Sequence, residues 1–259
     1  IVISQSGETM DTIAATELLK ENGAHVLALV NVVGSSLARM ADSVFYLHVG
    51  PEIGVASTKA YLGMLVGQLL LAKHWDSANK LDVSFDEIAE LPKLIEQTMA
   101  CEKQIKDISE KIYKKNDIYF IGRGLDYALA AEGALKLKEI SYLHAEALAA
   151  GELKHGTLAL IEDGTPIIVT ASQNHLLDKT TSNVQEVIAR GAYVIAIGDN
   201  QSEKLENISD EYVTLPDSNE LLTTVISIIP LQFIAYHVAN LNGESIDQPR
   251  NLAKSVTVE

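Results

Sequence analysis

The segment Ser4-Gln5-Ser6-Gly7-Glu8-Thr9 places three hydroxyl side chains around one glycine. An apolar β-branched run precedes it and a helical pattern follows it, so the segment is predicted to lead from a strand into a helix. Free backbone N–H groups and the helix dipole attract anions at such a turn. Uncharged hydroxyl donors beside them suit a phosphate monoester, provided that Glu8 points away. The alternative is an ordinary serine N-cap with a glutamate close behind.

A row of charged residues at helical spacing is the second chemical feature. Glu132, Lys136 and Glu139 stand at i, i+4 and i+7, so a helix would place them on one face. A carboxylate beside an ammonium in a partly dry crevice can transfer protons. The spacing alone fits a solvated stripe of salt bridges equally well, although alanine and leucine residues surround the row.

Three further segments carry polar groups of interest. Ser57, in the segment 52–59, is expected to cap a long helix. Its hydroxyl or the backbone of Val55 is also a candidate ligand contact. His155 lies between charged residues and a glycine in a predicted loop, where an imidazole can exchange a proton near neutral pH. A lone loop histidine is more often only solvated. Lys254 lies in a tail that is apolar enough to dock, which would bring a lysine to a site.

Composition limits the classes of function. The 259 residues include 20 Lys and Arg against 35 Asp and Glu, a net charge of -15 that disfavours nucleic-acid binding. The single cysteine, Cys101, excludes an internal disulfide and a cysteine-based zinc site, and is weakly typical of a cytoplasmic protein. No apolar run reaches the length of a membrane span. The chain begins with Ile1 in a strand already under way, which suggests a fragment of a longer protein.

Strands that alternate with helices predict an α/β fold built on doubly wound parallel sheets. Strands are predicted at 1–4, 25–33, 43–49, 118–121, 158–161, 166–171 and 193–197. Helices are predicted over 57–75, 86–111, 125–143, 176–190 and 220–241, with His144 assigned to a helix as a structural residue. The predicted domains are a first module at 1–85, a helical connector at 86–110, a second module at 111–243 and a tail at 244–259 that docks at the active site.

The two modules resemble internal copies of each other. The stretches 1–31 and 167–199 both read as strand, polar turn, helix, glycine stop and strand, which favours a duplication. The turn of the second copy, Ser172-Gln173-Asn174-His175, contains no glycine. If one of the two turns holds an anion, we therefore expect it to be the first.

Four of these segments together resemble one family. The segments SQSGETMDT, EIGVASTKAY, EGALKLKEISYLHAEALAAGELKHG and DQPRNLAKSVTVE are similar to the isomerase part of the glutamine–fructose-6-phosphate aminotransferase (isomerizing), or glucosamine-6-phosphate synthase, family. The resemblance implies two sugar-isomerase (SIS) modules, each a flavodoxin-like α/β/α sandwich, the first of them truncated at its N-terminus. It also implies that a glutaminase part belongs to the full-length protein and is absent here, so activity of this chain alone is in doubt.

The resemblance implies fructose 6-phosphate as substrate and glucosamine 6-phosphate as product, without a metal or a cofactor. The residues it assigns to substrate binding are Ser4, Gln5, Ser6 and Thr9 at the phosphate, and Val55, Ser57 and Ala253 at the sugar.

The resemblance also implies catalytic roles. Glu139 would move a proton between C1 and C2, Lys136 would assist at the C1 oxygen, and Glu132 corresponds to a further active-site carboxylate. His155 would open the sugar ring from the neighbouring subunit, which implies a homodimer. Lys254 would lie at the sugar, as Schiff-base former or as ligand contact.

Two other classes of protein share some of these features. A non-catalytic SIS-type sensor of phosphosugars needs the hydroxyl-rich turn but none of Lys136, Glu139 and His155, so their presence favours an enzyme. A dinucleotide-binding domain would need a third glycine after Gly122 and Gly124, and position 127 is a tyrosine.

Overall fold

The computed structural model describes residues 1–254 and confirms the predicted α/β fold. The chain forms two compact units. The first unit contains Ile1–Leu81 and the tail residues 247–254, and the second contains Asp82–Ile246. The helices that the sequence suggested as a connector belong to the second unit.

The first unit has a sheet of three parallel strands, β1 Val2–Ser4, β2 Leu27–Val30 and β3 Ser43–Tyr46, in the spatial order β1-β2-β3. Its helices are α1 Met10–Glu21, α2 Ser36–Met40 and α3 Lys59–Trp75. Val2, Ala28, Val30 and Leu37 form its buried core, with β2 in the middle of the sheet. An apolar central strand is what a sheet covered on both faces requires.

The second unit has five parallel strands. They are β4 Asp117–Gly122, β5 His144–Ala149, β6 Pro166–Ala171, β7 Tyr193–Gly198 and β8 Glu211–Thr214. Their spatial order, β5-β4-β6-β7-β8, is the flavodoxin-like order 2-1-3-4-5 when the strands are counted from β4. In such a sheet, ligands bind outside the carboxyl ends of the strands.

Eight α-helices and three short 3₁₀ segments complete the described part of the second unit. The α-helices are α4 Phe85–Ala89, α5 Leu91–Met99, α6 Glu102–Ile112, α7 Leu125–Ser141, α8 Leu177–Ile188, α9 Glu203–Ile208, α10 Glu220–Ile226 and α11 Ile228–Leu241. The 3₁₀ segments are Ala150–His155, Thr157–Leu160 and Asn174–Leu176.

Two predicted elements were wrong, and a third, a helix, was found over its predicted range with one interruption. Residues 158–161 form a 3₁₀ turn and its end rather than a strand, since a short apolar run cannot distinguish a strand from one helical turn. His144 begins strand β5 rather than ending a helix, because Tyr142 adopts a left-handed conformation (φ 61°) and ends α7. The predicted helix 220–241 is divided at Ser227, and Pro230, which lacks an N–H donor, lies in the first turn of the second part.

The prediction that no apolar run reaches the length of a membrane span was wrong, because the stretch Glu220–Leu241 is long and apolar enough by length and composition alone. In the fold, 78% of its most apolar window is buried within the protein, as is typical of a core helix. Helix α11 packs mainly against α7 and α6.

Candidate functional site

The turn after β1 is built from its own hydroxyl groups. The N–H of Gly7 donates to Ser4 Oγ at 3.0 Å, and the N–H of Glu8 donates to Ser6 Oγ at 3.2 Å. Ser4 Oγ also lies 3.2 Å from Thr9 Oγ1. Thr9 is the N-cap of α1, but its side chain makes no capping hydrogen bond. The turn is therefore not a simple serine N-cap. The side chain of the N-cap residue, Thr9, does not cap the first N–H groups of α1.

Gly7 and Glu8 shape this turn. Gly7 has φ 67°, and a Cβ atom there would lie 2.1 Å from Ser35 Oγ, so the turn requires glycine. The carboxylate of Glu8 accepts the Ser36 N–H at 2.8 Å, at the start of α2. Hydrogen bonds from the Ser36 hydroxyl and N–H lower the pKa of Glu8. Glu8 is thus engaged outside the turn, as the phosphate hypothesis requires.

A cavity of about 580 Å³ lies at the carboxyl edge of the first sheet. Its walls are Gln5, Ser6, Asn31, Val32, Val33, His48, Gly50, Pro51, Glu52 and Lys254. The structure thereby brings Gln5, Ser6 and Lys254 together, although 248 positions separate Ser6 from Lys254. The place is the one where an open parallel sheet binds ligands.

Glu52 is a polar residue of this cavity that the sequence analysis missed. Its side chain is only 5% exposed. The carboxylate accepts hydrogen bonds from the Ser57 hydroxyl at 2.8 Å, from the Thr58 N–H at 2.8 Å and from Lys254 Nζ at 3.1 Å. Burial alone would raise the pKa of Glu52, but the hydrogen bonds outweigh it and the pKa is lowered. Its position just before a long helix is the signal that could have revealed it.

The C-terminal tail lies against the loop before α3. The N–H of Val55 donates to the Asp247 carbonyl at 3.0 Å, and Lys254 Nζ donates to the Gly54 carbonyl at 2.7 Å. Ala253 is exposed at this point of the tail. The hydroxyl of Ser57 is turned toward Glu52 and α3 begins after Thr58, so the expectation that Ser57 caps this helix was wrong.

Helix α7 carries the charged row on a largely buried face. Lys136 Nζ lies 3.4 Å from Glu132 Oε1 and 2.5 Å from Glu139 Oε2. The side chains of Lys136, Glu132 and Glu139 are 5%, 13% and 21% exposed, which contradicts a solvated stripe. Burial raises the pKa of Glu132, although Lys136 opposes that effect.

Glu139 is held in this row by its ion pair with Lys136. Its Oε2 atom lies 2.5 Å from Lys136 Nζ, and among residues 1–254 it makes no hydrogen bond. A carboxylate in such a place can act as a general base toward a bound substrate.

Close packing fixes helix α7 in the second unit. A Cβ atom at Gly133 would lie 3.0 Å from Leu231 and 3.1 Å from Phe120, so glycine lets the helix approach both α11 and β4. A Cβ atom at Gly122 would lie 2.4 Å from the backbone carbonyl carbon of Asp126. Glycine at position 122 therefore allows the close approach of β4 to the start of α7. This is a structural explanation for a glycine that a dinucleotide-binding site would also require.

His155 ends the 3₁₀ segment that follows β5. Its side chain is 64% exposed, and Nε2 lies 4.0 Å from the Glu152 carboxylate. Cys101 and His144 are two further residues that the sequence analysis named, and neither is predicted to act in the site. Burial raises the pKa of the Cys101 thiol to about 11, which leaves it unreactive, and His144 pairs with Asp117 at 2.7 Å on the surface.

The turn after β6, which is the counterpart of the first turn, is occupied by carboxylates. The backbone N–H and the hydroxyl of Ser172 both donate to Asp126, at 3.1 Å and 2.6 Å. The N–H of Gln173 also donates to Asp126, and the N–H of Asn174 donates to Glu220 at 2.9 Å. Burial raises the pKa of Asp126, against the effect of these bonds.

Among residues 1–254, no group of three or more histidine, cysteine, aspartate and glutamate side chains has the arrangement of a metal site.

The chain is similar in sequence and in fold to known proteins. The chain is 49% identical to the glutamine–fructose-6-phosphate aminotransferases (isomerizing) of Thermococcus kodakarensis and Caldanaerobacter subterraneus. Each alignment spans 265 residues and covers 100% of this chain, but only 44% of the relative. The chain thus spans less than half the length of these curated relatives.

A solved structure is similar over nearly the whole fold. The C-terminal domain of glucosamine-fructose-6-phosphate aminotransferase from Francisella tularensis superposes with a TM-score of 0.87 at 40% identity. The match covers 95% of this chain and 71% of that one. The family model of the SIS domain matches residues 1–73 and 111–241, one stretch for each predicted module. These findings confirm the resemblance noted in the sequence, and the chain belongs to the SIS domain family.

Proposed function

We propose that this chain carries out the sugar isomerisation of a glucosamine-6-phosphate synthase, in which fructose 6-phosphate and ammonia yield glucosamine 6-phosphate and water. The observation that carries the proposal is the buried row on α7, with the ammonium of Lys136 between the carboxylates of Glu132 and Glu139. Similarity over the entire chain to proteins named for this reaction supports it.

The turn after β1 is proposed to bind the phosphate. Ser4, Gln5, Ser6 and Thr9 offer hydroxyl and amide donors beside the N-terminus of α1, where the helix dipole favours an anion. The molecule has a net charge of -15, so a dianionic substrate needs such a local trap. The loop with Val55 and Ser57, together with Ala253 and Lys254 of the tail, is proposed to contact the sugar.

The α7 row is proposed to move the proton. Ammonia first replaces the C2 carbonyl oxygen of the open-chain sugar, which leaves as water, and gives a protonated imine at C2. Glu139 then removes a proton from C1, that electron pair forms a C1–C2 double bond, and the C2–N π pair moves onto nitrogen. Glu139 delivers a proton, which can exchange with solvent, to C2 while the hydroxyl proton leaves O1, so that C1 becomes an aldehyde and C2 bears the amine. The ammonium of Lys136 stabilises negative charge that develops on O1.

Glu132 and His155 complete the proposed set. Glu132 pairs with the second side of the buried Lys136 ammonium, at 3.4 Å, and so helps to hold it in place. The exposed imidazole of His155 is proposed to open the sugar ring in the second subunit of a homodimer, since an imidazole can both donate and accept a proton near neutral pH. The proposal also includes a glutaminase part that supplies ammonia in the full-length protein, and a cytoplasmic location.

Deuterium exchange at C1 tests the proton transfer directly. With fructose 6-phosphate in D₂O, we expect the protein to incorporate deuterium at C1, which is followed by proton NMR. Glu139→Gln should slow this exchange by about 100-fold or more, because a positioned general base contributes 10² to 10⁴ in rate. Its affinity for fructose 6-phosphate should stay within about threefold of the unmodified protein.

Glu110→Gln, at an exposed position on α6, is the matched control and should exchange normally. Near-normal exchange by Glu139→Gln would show that another residue is the base. Tight binding of fructose 6-phosphate without exchange in the unmodified protein would instead favour the non-catalytic sensor.

A further inference from the structure

We propose that Glu52 is a positioning residue that holds the C-terminal tail at the sugar-phosphate cavity by anchoring the Lys254 ammonium. This inference rests on the proposed function for its effect on substrate, but the contacts that carry it all lie within the first unit. Neither the sequence motifs nor the similarity to known proteins assigns a role to Glu52.

The two carboxylate oxygens of Glu52 serve two different segments. Oε1 accepts the backbone N–H groups of Thr58 and Ala60, at 2.8 Å and 3.2 Å, at the beginning of α3. Oε2 accepts the Ser57 hydroxyl at 2.8 Å and Lys254 Nζ at 3.1 Å. One side chain thus joins the start of a 17-residue helix to a lysine 202 positions away.

Burial makes this link strong. The Glu52 side chain is 5% exposed and that of Lys254 is 28% exposed, so both charges have lost much of their hydration. A carboxylate so buried must be paired, and removing one partner leaves an uncompensated charge. The lowered pKa of Glu52 agrees with a carboxylate that stays ionised.

Two of the described contacts attach the tail to the first unit, at two different places. The Asp247 carbonyl accepts the Val55 N–H at 3.0 Å, and the Lys254 ammonium binds Glu52 and the Gly54 carbonyl. Between these two places, residues 251–253 are exposed. A segment with few buried contacts opens easily, so loss of the second attachment should free the end of the tail.

The arrangement also defines what Lys254 does while the tail is docked. Its Nζ donates both to the Glu52 carboxylate and to the Gly54 carbonyl oxygen. In the docked state Lys254 therefore lines the cavity as the partner of Glu52.

Glu52→Gln separates the two functions of the carboxylate. Glutamine keeps one oxygen for the N–H groups that begin α3, but it has no charge for the ammonium of Lys254. Hydrogen exchange of the protein without substrate, read by mass spectrometry on peptides covering 247–254, should become about tenfold faster or more. Exchange at the start of α3 should change less than threefold.

Lys254→Met should accelerate exchange of the tail to a similar extent, and the double variant should not add to it, because both changes break the same contact. Asp42→Asn is the matched control. Asp42 is also a carboxylate of the first unit that accepts a lysine, Lys20 at 2.8 Å, and a backbone N–H, that of Val26 at 2.9 Å. It should leave exchange of the tail unchanged.

The effect on substrate distinguishes positioning from general stability. For Glu52→Gln we expect the KM for fructose 6-phosphate to rise about tenfold and kcat to fall less than threefold, since substrate restores the docked tail. Unchanged tail exchange in Glu52→Gln, or equal loosening of the tail and α3, would overturn the proposal. Because exchange is measured without substrate, the outcome is independent of whether the proposed reaction occurs.

Discussion

The two βα turns of the molecule follow corresponding strands, β1 and β6, yet they satisfy their backbone donors in opposite ways. In the first turn, the N–H groups of Gly7 and Glu8 are bonded to serine hydroxyls, and the nearby carboxylate is engaged at α2. In the second turn, the N–H groups of Ser172, Gln173 and Asn174 are bonded to the carboxylates of Asp126 and Glu220.

The difference shows how one turn can remain available to an anionic ligand while the other is occupied by carboxylates of the protein itself. Strand ends that lead into helices gather N–H donors, and such donors favour an anion. The N–H groups of the second turn are bonded to carboxylates of α7 and α10. These bonds connect β6 to both helices and leave the turn without a place for an anionic ligand. In the first turn the carboxylate of Glu8 is bonded to the Ser36 N–H and not to the N–H groups of the turn, which gives a physical reason to expect substrate phosphate there alone.

The largest expected effect comes from closing the first turn. In Gly7→Ala the new Cβ atom would collide with Ser35 Oγ, 2.1 Å away, in a backbone conformation that alanine disfavours. We expect the affinity for fructose 6-phosphate, measured by calorimetry, to fall about 100-fold or more. The free energy of unfolding should fall by about 2–4 kcal/mol.

Gly23→Ala is the control for backbone strain alone. Gly23 has φ 79°, but a Cβ atom there would meet nothing within 4 Å. It should cost about 1–2 kcal/mol of stability and leave the affinity unchanged. Equal affinities for the Gly7 and Gly23 variants would mean that phosphate binds elsewhere.

A substitution in the second turn should lower the free energy of unfolding without weakening the binding of fructose 6-phosphate. Asp126→Asn replaces a buried carboxylate that accepts three donor groups from Ser172 and Gln173 with an amide whose NH₂ group faces them. We expect the free energy of unfolding, measured with urea, to fall by about 2–4 kcal/mol. The affinity for fructose 6-phosphate should stay within about twofold.

Asp178→Asn changes an exposed aspartate on α8 and should alter stability by less than about 0.5 kcal/mol. A large loss of substrate affinity in Asp126→Asn would break the comparison, because it would make the second turn part of the binding site.

The contrast also shows which parts of the site the sequence could predict. Residues 4–9 are adjacent in the chain, and the α7 row repeats with the period of a helix, so local patterns were enough to find both. Glu52 and Asp126 act on partners 202 and 46 positions away, and no local pattern carries such contacts.

The fold could be predicted to a similar degree. Apolar strands with branched residues, such as β6 and β7, were found because both faces of a parallel sheet are covered. Strand β5 was missed because its sequence, His-Ala-Glu-Ala-Leu-Ala, favours a helix by local propensity. Pairing along the whole length of β4 outweighs that propensity, which is a tertiary effect.

The smallest expected effect comes from removing one hydroxyl from each turn. Ser6→Ala removes a donor that faces the cavity, and we expect a loss of affinity for fructose 6-phosphate of about tenfold, or about 1.4 kcal/mol. Ser172→Ala removes a fully buried hydroxyl that is bonded to Asp126 and Thr224. That change should lower stability by about 1–3 kcal/mol and leave affinity alone.

Measuring both quantities on both variants makes this last pair decisive. If one turn binds phosphate and the other only joins α7 to β6, the affinity change must follow Ser6 and the larger stability change must follow Ser172. Equal changes in affinity would mean that both turns contact the ligand, since a buried hydroxyl that never meets substrate cannot weaken its binding except by unfolding the protein. A normal urea midpoint for Ser6→Ala would exclude that explanation for the first turn.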